Sequence, residues 1–332
     1  MYVTAGSEYA LLEGVQIFSN RISAYPADLT LNLPNGYVFK GNYSAIKTAK
    51  KYNLVWNDEF NGTELDSSKW TVNKWTETKC SVDDSLGTSG STLKVSKDKI
   101  SVSDGAVHLG SVTVKNADNS YTFYGSDIRT VNKMTFSHGY FEARMKLPGG
   151  VGQWSAFWAN GFRVSASANL NAYSTEIDVM ENFGYTDKYQ TDLHVWGNSI
   201  VDGLLNKETD QNGIVKYHKD MLNGVNYAPK ANLADEYHVY GCEWTENSLK
   251  LYFDGKCYYT LDFSKFNDGY VNSTAVAAHF KNLINGDAMQ LILSVSPAPG
   301  NCANHAGVLP TDANYKYDTE MTVDYVRLYQ LG

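Results

Sequence analysis

The sequence has no apolar run near the roughly 18 residues that a membrane-spanning helix requires, so no membrane insertion is expected. Clustered cations are missing too. With 28 Lys and Arg against 36 Asp and Glu, the net charge is −8, which argues against nucleic acid as a partner. The opening stretch MYVTAGSEYALLEG lacks the basic and apolar regions of a secretory leader. A secreted or cell-surface protein is therefore expected here with its signal peptide absent. Only four cysteines occur, Cys80, Cys242, Cys257 and Cys302, and none has zinc-ligand spacing. Cys242 and Cys257 fall on segments that read as two strands of one hairpin. A disulfide between them and a pair of free buried thiols both stay open. Helical periodicity is scarce, with Ser44 to Lys51 and a turn within Asn272 to Asn285 as the short helices expected.

Aromatic residues are abundant: 24 Tyr, 13 Phe and 7 Trp in a chain that is 43% hydrophobic. That composition builds an ample core rather than a disordered chain. Short segments of alternating polarity recur between Gly, Asn, Asp and Ser turns. Lys99 to Leu109, Gly139 to Lys146, Tyr237 to Trp244, Leu249 to Phe253 and Met321 to Tyr329 are examples. Asp-Gly pairs mark turns at Asp104-Gly105, Asp202-Gly203, Asp254-Gly255 and Asp268-Gly269. Such spacing predicts an all-β sandwich or barrel. Residues 1–50 alternate less strictly and read as an N-terminal extension or the remnant of a neighbouring module. The main domain is expected over 51–332.

One hexad stands out. Glu176-Ile177-Asp178-Val179-Met180-Glu181 sets three carboxylates among three apolar residues. In a regular strand Glu176 and Asp178 share one face and Glu181 takes the other. A one-residue β-bulge after Asp178 resets the alternation. All three carboxylates then look out from one side, while Ile177 and at least one of Val179 and Met180 enter the core. The two glutamates are then about 13 Å apart at Cα by the usual strand rise. Two side chains leaning together close most of that gap, and about 5 to 5.5 Å between carboxyls suits a retaining glycosidase. On the hexad alone, an acidic solvent face and a calcium site compete with catalysis.

Further segments appear in a consistent order. They are Asn57-Asp58-Glu59-Phe60-Asn61-Gly62, then Gly139-Tyr140-Phe141-Glu142-Ala143-Arg144, then Gly152-Gln153-Trp154-Ser155-Ala156-Phe157-Trp158. The hexad follows, and Val323-Asp324-Tyr325-Val326-Arg327-Leu328-Tyr329 comes last. Together they resemble glycoside hydrolase family 16, the jelly-roll endoglycanases that include laminarinases, lichenases, agarases, porphyranases and carrageenases. The resemblance covers roughly residues 52 to 332, with the hexad in the longer, bulged form of the family motif. It implies a jelly-roll β-sandwich of two antiparallel sheets with a concave substrate cleft. It also implies Glu176 as nucleophile, Glu181 as general acid/base, and Asp178 between them to hold a proton or orient the nucleophile. That chemistry calls for no cofactor, and the partner is a polysaccharide bound by a monomer.

Around the hexad, Trp154 and Trp158 share strand parity and can present indole faces to sugar rings; the alternative is that they fill the core. His194 and Trp196 alternate together on the next segment, where a paired strand would bring them beside Glu181. Arg129 and Arg144 are candidates for binding sugar hydroxyls, with structural pairing as the competing reading. The resemblance further suggests a structural calcium on the convex side, held by Glu59 and Asp324 with a carbonyl near Gly105, since calcium takes hard oxygen ligands. The expected substrate is a β-1,3- or mixed β-1,3/1,4-glucan. A β-galactan of agar or porphyran type is the second expectation, because Ser155 stands where many glucan-cleaving relatives carry proline. A non-catalytic carbohydrate-binding jelly roll is the third. No cluster of Arg and Lys accompanies the hexad, which disfavours a sulfated galactan.

Overall fold

A computed structural model describes residues 28–32, 38–42, 52–73, 78–79, 92–161, 173–197, 206–209, 215–264, 286, 288–297 and 310–331. Two hairpin strands, β1 (Asp28–Asn32) and β2 (Val38–Asn42), pair with each other and with no other strand among the described residues. The remaining strands form the body. In its first half these are β3 (Tyr52–Asp58), β4 (Thr71–Val72), β5 (Thr78–Lys79), β6 (Thr92–Val95), β7 (Ile100–Ser103), β8 (Ala106–Lys115), β9 (Tyr121–Arg129), β10 (Gly139–Lys146) and β11 (Gln153–Gly161). The second half continues with β12 (Tyr173–Asn182), β13 (Tyr189–Gly197), β14 (Asn206–Thr209), β15 (Val215–Tyr227), β16 (His238–Trp244), β17 (Ser248–Phe253), β18 (Lys256–Asp262), β19 (Met289–Pro297) and β20 (Asp318–Leu331). The helices expected near residues 44–51 and 272–285 lie outside the described residues, as do Cys80, Cys302 and the Asp202-Gly203 and Asp268-Gly269 turns.

The architecture is the expected all-β jelly roll of two curled sheets. The long strand β20 centres the first sheet. It pairs with β10 on one side and with β8 and β3 on the other, and β16, β17 and β18 continue outward from β10. The second sheet runs β9–β19–β11–β12–β13–β15–β14. Strand β9 belongs to both: Tyr121 to Tyr124 pair with β8, and Ser126 to Arg129 pair with β19. The crossing falls at Gly125, where a Cβ would lie 2.7 Å from the Val295 carbonyl, so the close approach of the strands requires glycine.

Alternation builds the core between the sheets. Phe141, Ala143 and Met145 enter it from β10, and Phe157 and Ala159 from β11. Ile177, Leu193, Leu291 and Leu293 enter from β12, β13 and β19. The opposite face of the second sheet is thereby left to polar and aromatic residues. Asp104-Gly105 and Asp254-Gly255 both take positive φ, the type I′ geometry that matches strand twist. Asp104-Gly105 divides the segment from Lys99 to Leu109 into two strands, so it is a hairpin rather than one alternating strand.

Of the two alternatives for Cys242 and Cys257 the free thiols hold, while their placement on one hairpin is corrected. Cys242 on β16 and Cys257 on β18 are not cross-strand neighbours, because β17 runs between them. Cys242 points into the core, whereas Cys257 packs on the other face beside Tyr52, Tyr140 and Tyr252. Both are free thiols.

Candidate active site

The acidic hexad lies on β12, flanked by β11 and β13. Pairing to β11 matches Phe157 with Met180 but Trp158 with Asp178, so Val179 is the extra residue. Pairing to β13 tells the same story: Asp178 faces Asp192, Glu181 faces Gln190, and only Thr191 stands between. Thr191 Oγ1 donates to the Val179 carbonyl at 3.0 Å, satisfying the group that the bulge withdraws from the ladder. Val179 and Met180 are both buried. Glu176, Asp178 and Glu181 consequently share the face that looks away from the core.

The strand then ends sharply. Asn182, fully buried, donates from Nδ2 to the Tyr185 and Lys188 carbonyls at 2.7 and 2.8 Å and accepts from the Gly184 amide. Gly184 has φ +85°, and a Cβ there would come within 2.1 Å of the Gly150 carbonyl. This clamp fixes the residues just past Glu181.

Around Glu181 the charges are crowded. A carboxylate oxygen of Glu181, one of Asp192 and a ring nitrogen of His194 lie within 4.8 Å of one another, and so do the corresponding atoms of Glu176, Asp178 and His194. His194 Nε2 is 3.3 Å from Asp178 Oδ2. Trp154 Nε1 donates to Glu181 Oε1 at 3.0 Å. Gln190 Nε2 reaches Glu181 Oε2 at 3.5 Å and Asp192 Oδ2 at 2.8 Å. Burial drives the Glu181 pKa well above the ordinary carboxylate value, and the negative charge of Asp178, then the hydrogen bond and charge of Asp192, add to the rise. His194 opposes it. Glu181 is thus a buried carboxyl with raised proton affinity, and half-buried Glu176 offers a second carboxyl on the same face.

The aromatic residues flank this row. Trp154, Ala156, Trp158 and Asn160 alternate onto the acidic face, with Ala156 opposite Glu181 and Asn160 opposite Glu176. Trp154 and Trp158 are half-buried, so neither fills the core. Trp158 Nε1 donates to Ser294 Oγ at 3.1 Å. The Arg129 guanidinium lies 5.3 Å from the Trp158 ring centroid and donates to both oxygens of buried Asp127 at 2.7 Å. Arg129 therefore braces Trp158 and neutralises Asp127, the structural pairing that competed with a hydroxyl-binding role.

A ring nitrogen of His194 lies within 4.8 Å of a Glu181 oxygen, whereas the antiparallel pairing carries Trp196 away from that position. His194 faces Glu176, and Trp196 faces Ser174, a position beyond Glu176 rather than beside Glu181. The Trp196 side chain lies outside the described residues.

Glu59 and Asp324 do not fit a shared calcium site. Arg327 donates to both Glu59 oxygens at 2.9 Å, and Asn57 also donates to Glu59. The hydrogen bond from Arg327 holds the Glu59 pKa below the ordinary value. Asp324 is engaged by Arg144. A guanidinium seated on each carboxylate takes the oxygens that a hard cation would need. Arg144 belongs to this outer surface, not to the cleft.

Sequence reasoning passed over Asp192, Gln190 and Ser294. The signal for the first two was present, because Gln190, Asp192 and His194 share one strand parity with apolar Leu193 between. Ser294, brought beside β11 from 136 residues away, carried no local mark.

Comparison with known proteins gives one consistent lineage. Residues 53–331 match the model described as β-porphyranase A–D, GH16 domain. The glucan endo-1,3-β-glucosidase A1 of Niallia circulans is 29% identical over 293 residues, covering 84% of this chain and 38% of that protein. The β-porphyranase B of Phocaeicola plebeius is 23% identical over 239 residues, covering 63% of this chain and 67% of that protein. The catalytic domain of an endo-1,3-β-glucanase (laminarinase) from Thermotoga petrophila superposes with a TM-score of 0.59 at 20% identity, covering 85% of this chain and 99% of that one. The chain thus spans well under half of the first of these proteins.

Proposed function

The chain belongs to the family of β-porphyranase A–D domains within glycoside hydrolase family 16, and from that membership we propose an endo-acting, retaining β-glycoside hydrolase that cuts a β-galactan backbone. The observation that carries the reading is the single-residue bulge at Val179. It turns Glu176 and Glu181 to one face, and burial among carboxylates raises the proton affinity of Glu181.

In the proposed reaction, Glu181 gives its proton to the glycosidic oxygen while a Glu176 oxygen attacks the anomeric carbon from the opposite face. The leaving chain departs and a covalent glycosyl-enzyme forms. Glu181, now ionised, takes a proton from an incoming water, whose oxygen displaces Glu176. Two inversions give net retention. Asp178, 3.3 Å from His194, steadies the charge balance between the two steps. Trp154 and Trp158 supply apolar faces for the sugar rings. A polysaccharide is too large to enter a cell, so the reading includes action outside the cytoplasm.

Galactan is preferred because the family model spanning 53–331 is that of the porphyranases. Among the described residues, the guanidinium beside Trp158, that of Arg129, is already matched by Asp127, so an unsulfated stretch is the better fit to this face. The β-glucan expected from the sequence stands as the second reading, favoured by the 29% identity to a protein named for glucan cleavage.

Reducing-end release from agarose, desulfated porphyran, laminarin and mixed-linkage barley glucan tests both. Oligosaccharides from the galactans alone support the first reading, and from the glucans alone the second. Proton NMR of fresh product should show the β-anomer first. An α-anomer at early times rejects the double displacement. Tight binding with no cleavage of any polymer would leave a sugar-holding sandwich.

A further inference from the structure

Asp192 takes no part in the reaction above, yet it sits on the same face as the reacting carboxyls. Only 3% of the residue is exposed. Its Oδ2 accepts from Gln190 Nε2 at 2.8 Å, and the same amide nitrogen reaches Glu181 Oε2 at 3.5 Å. Gln190 therefore clips the two acids together from above the strand pair. The charge of Asp192 at this distance disfavours ionisation of Glu181.

We propose that Asp192, held by Gln190, is a positioning residue that keeps the proton on Glu181 and so sets the upper pH limit of turnover. The proposal rests on the reading of Glu181 as the general acid/base. Among the described residues, the groups facing Glu181 come from three strands: Asp178 on β12 itself, Gln190, Asp192 and His194 on β13, and the Trp154 indole on β11. Asp178 and Asp192 favour the protonated acid, whereas His194 and the Trp154 N–H favour the anion. Asp192 accepts from an uncharged amide, Gln190, which also reaches Glu181, and the His194 ring nitrogen lies within 4.8 Å of both carboxyls. Asp178 also meets His194.

The test is the pH profile of kcat/KM. Asp192→Asn keeps the shape and removes the charge. Its alkaline limb should move to lower pH by about one unit, a loss of about tenfold on that limb, while the acid limb and melting temperature stay near the wild-type values. Gln190→Leu releases Asp192 without discharging it, and should give a smaller shift in the same direction. Carbon-13 NMR titration of the glutamate δ-carbons, with the Glu181 signal assigned by its loss in Glu181→Gln, reads the midpoint without any turnover. It should fall in Asp192→Asn. An unmoved alkaline limb, an unmoved midpoint, or a loss equal at every pH overturns the proposal. If wild type cleaves no polymer but the midpoint still falls, the effect of Asp192 on Glu181 survives and the hydrolase reading fails.

Discussion

The two outward-looking faces of this sandwich treat the same side chains in opposite ways. On the outer face of the first sheet, carboxylates meet donors. Glu59 takes two hydrogen bonds from Arg327, Asp324 is paired with Arg144, and buried Glu142 accepts from the hydroxyls of Tyr140 and Tyr329. On the cleft face of the second sheet, carboxylates meet carboxylates: Asp178 and Asp192 crowd Glu181. The pKa of Glu59 falls and that of Glu181 rises. Matched charges hold strands together, while crowded like charges store a proton that chemistry can use.

The comparison breaks most decisively if the cleft carboxyls are removed. Glu176→Gln and Glu181→Gln should each lower turnover by about a thousandfold or more, as measured by reducing-end release. Stability should move the other way for Glu181. Its folded pKa is raised, so the stabilising protonated state is fully present below the unfolded value near about 4.3 and is lost as pH rises through the folded value. Glu181→Gln mimics that state and should melt higher than wild type above this range, as scanning calorimetry would register. A lower melting temperature would mean that the cleft stores no such strain.

Next in size is a cleft carboxylate that behaves like those of the outer face. Asp127 is buried and matched by Arg129. Arg129→Met should strand that charge and cost about 3 kcal/mol in denaturant unfolding, and it should raise KM by loosening Trp158. Adding Asp127→Asn should restore most of the stability but not the KM. Full recovery of both would show that Arg129 acts only through Asp127.

Trp154→Phe sharpens the contrast at a single bond. The indole N–H favours ionised Glu181, so its loss should shift the alkaline limb to higher pH, opposite to Asp192→Asn, with kcat down about tenfold. A shift toward lower pH would contradict the assigned donor.

The smallest effect belongs to the outer face. Because the folded pKa of Glu59 is depressed, its contribution is present above the unfolded carboxylate value and is lost as pH falls through the folded one. Arg327→Met should remove less than about 1 kcal/mol, since the pair is partly open to solvent, and should leave turnover intact. Unfolding midpoints measured at pH 7 and pH 3 should differ less in the variant than in wild type.

Some of this was legible beforehand. The strands around the turns at Asp104-Gly105 and Asp254-Gly255, the core-facing Phe141, Ala143 and Met145, and the bulge in the hexad all follow from period-two alternation and turn chemistry. Pairings across the sheet did not. Arg327 meets Glu59 over 268 positions of sequence, and no spacing rule ties them. The same limit bears on Glu59 and Asp324, because each acid looked unpartnered when read along the chain. It also produced the cysteine expectation: β17 separates two residues that seemed to share a hairpin.

By itself, the order of residues determined that the chain would be β-rich and that one extra residue would align three acids, because side-chain direction in a strand depends only on neighbours in sequence. Tertiary structure alone decided which of those acids has its proton affinity raised. That outcome depends on burial and on Asp192, Gln190 and Trp154 arriving from adjacent strands, and proton affinity answers to the charges and solvent nearby in space rather than along the chain.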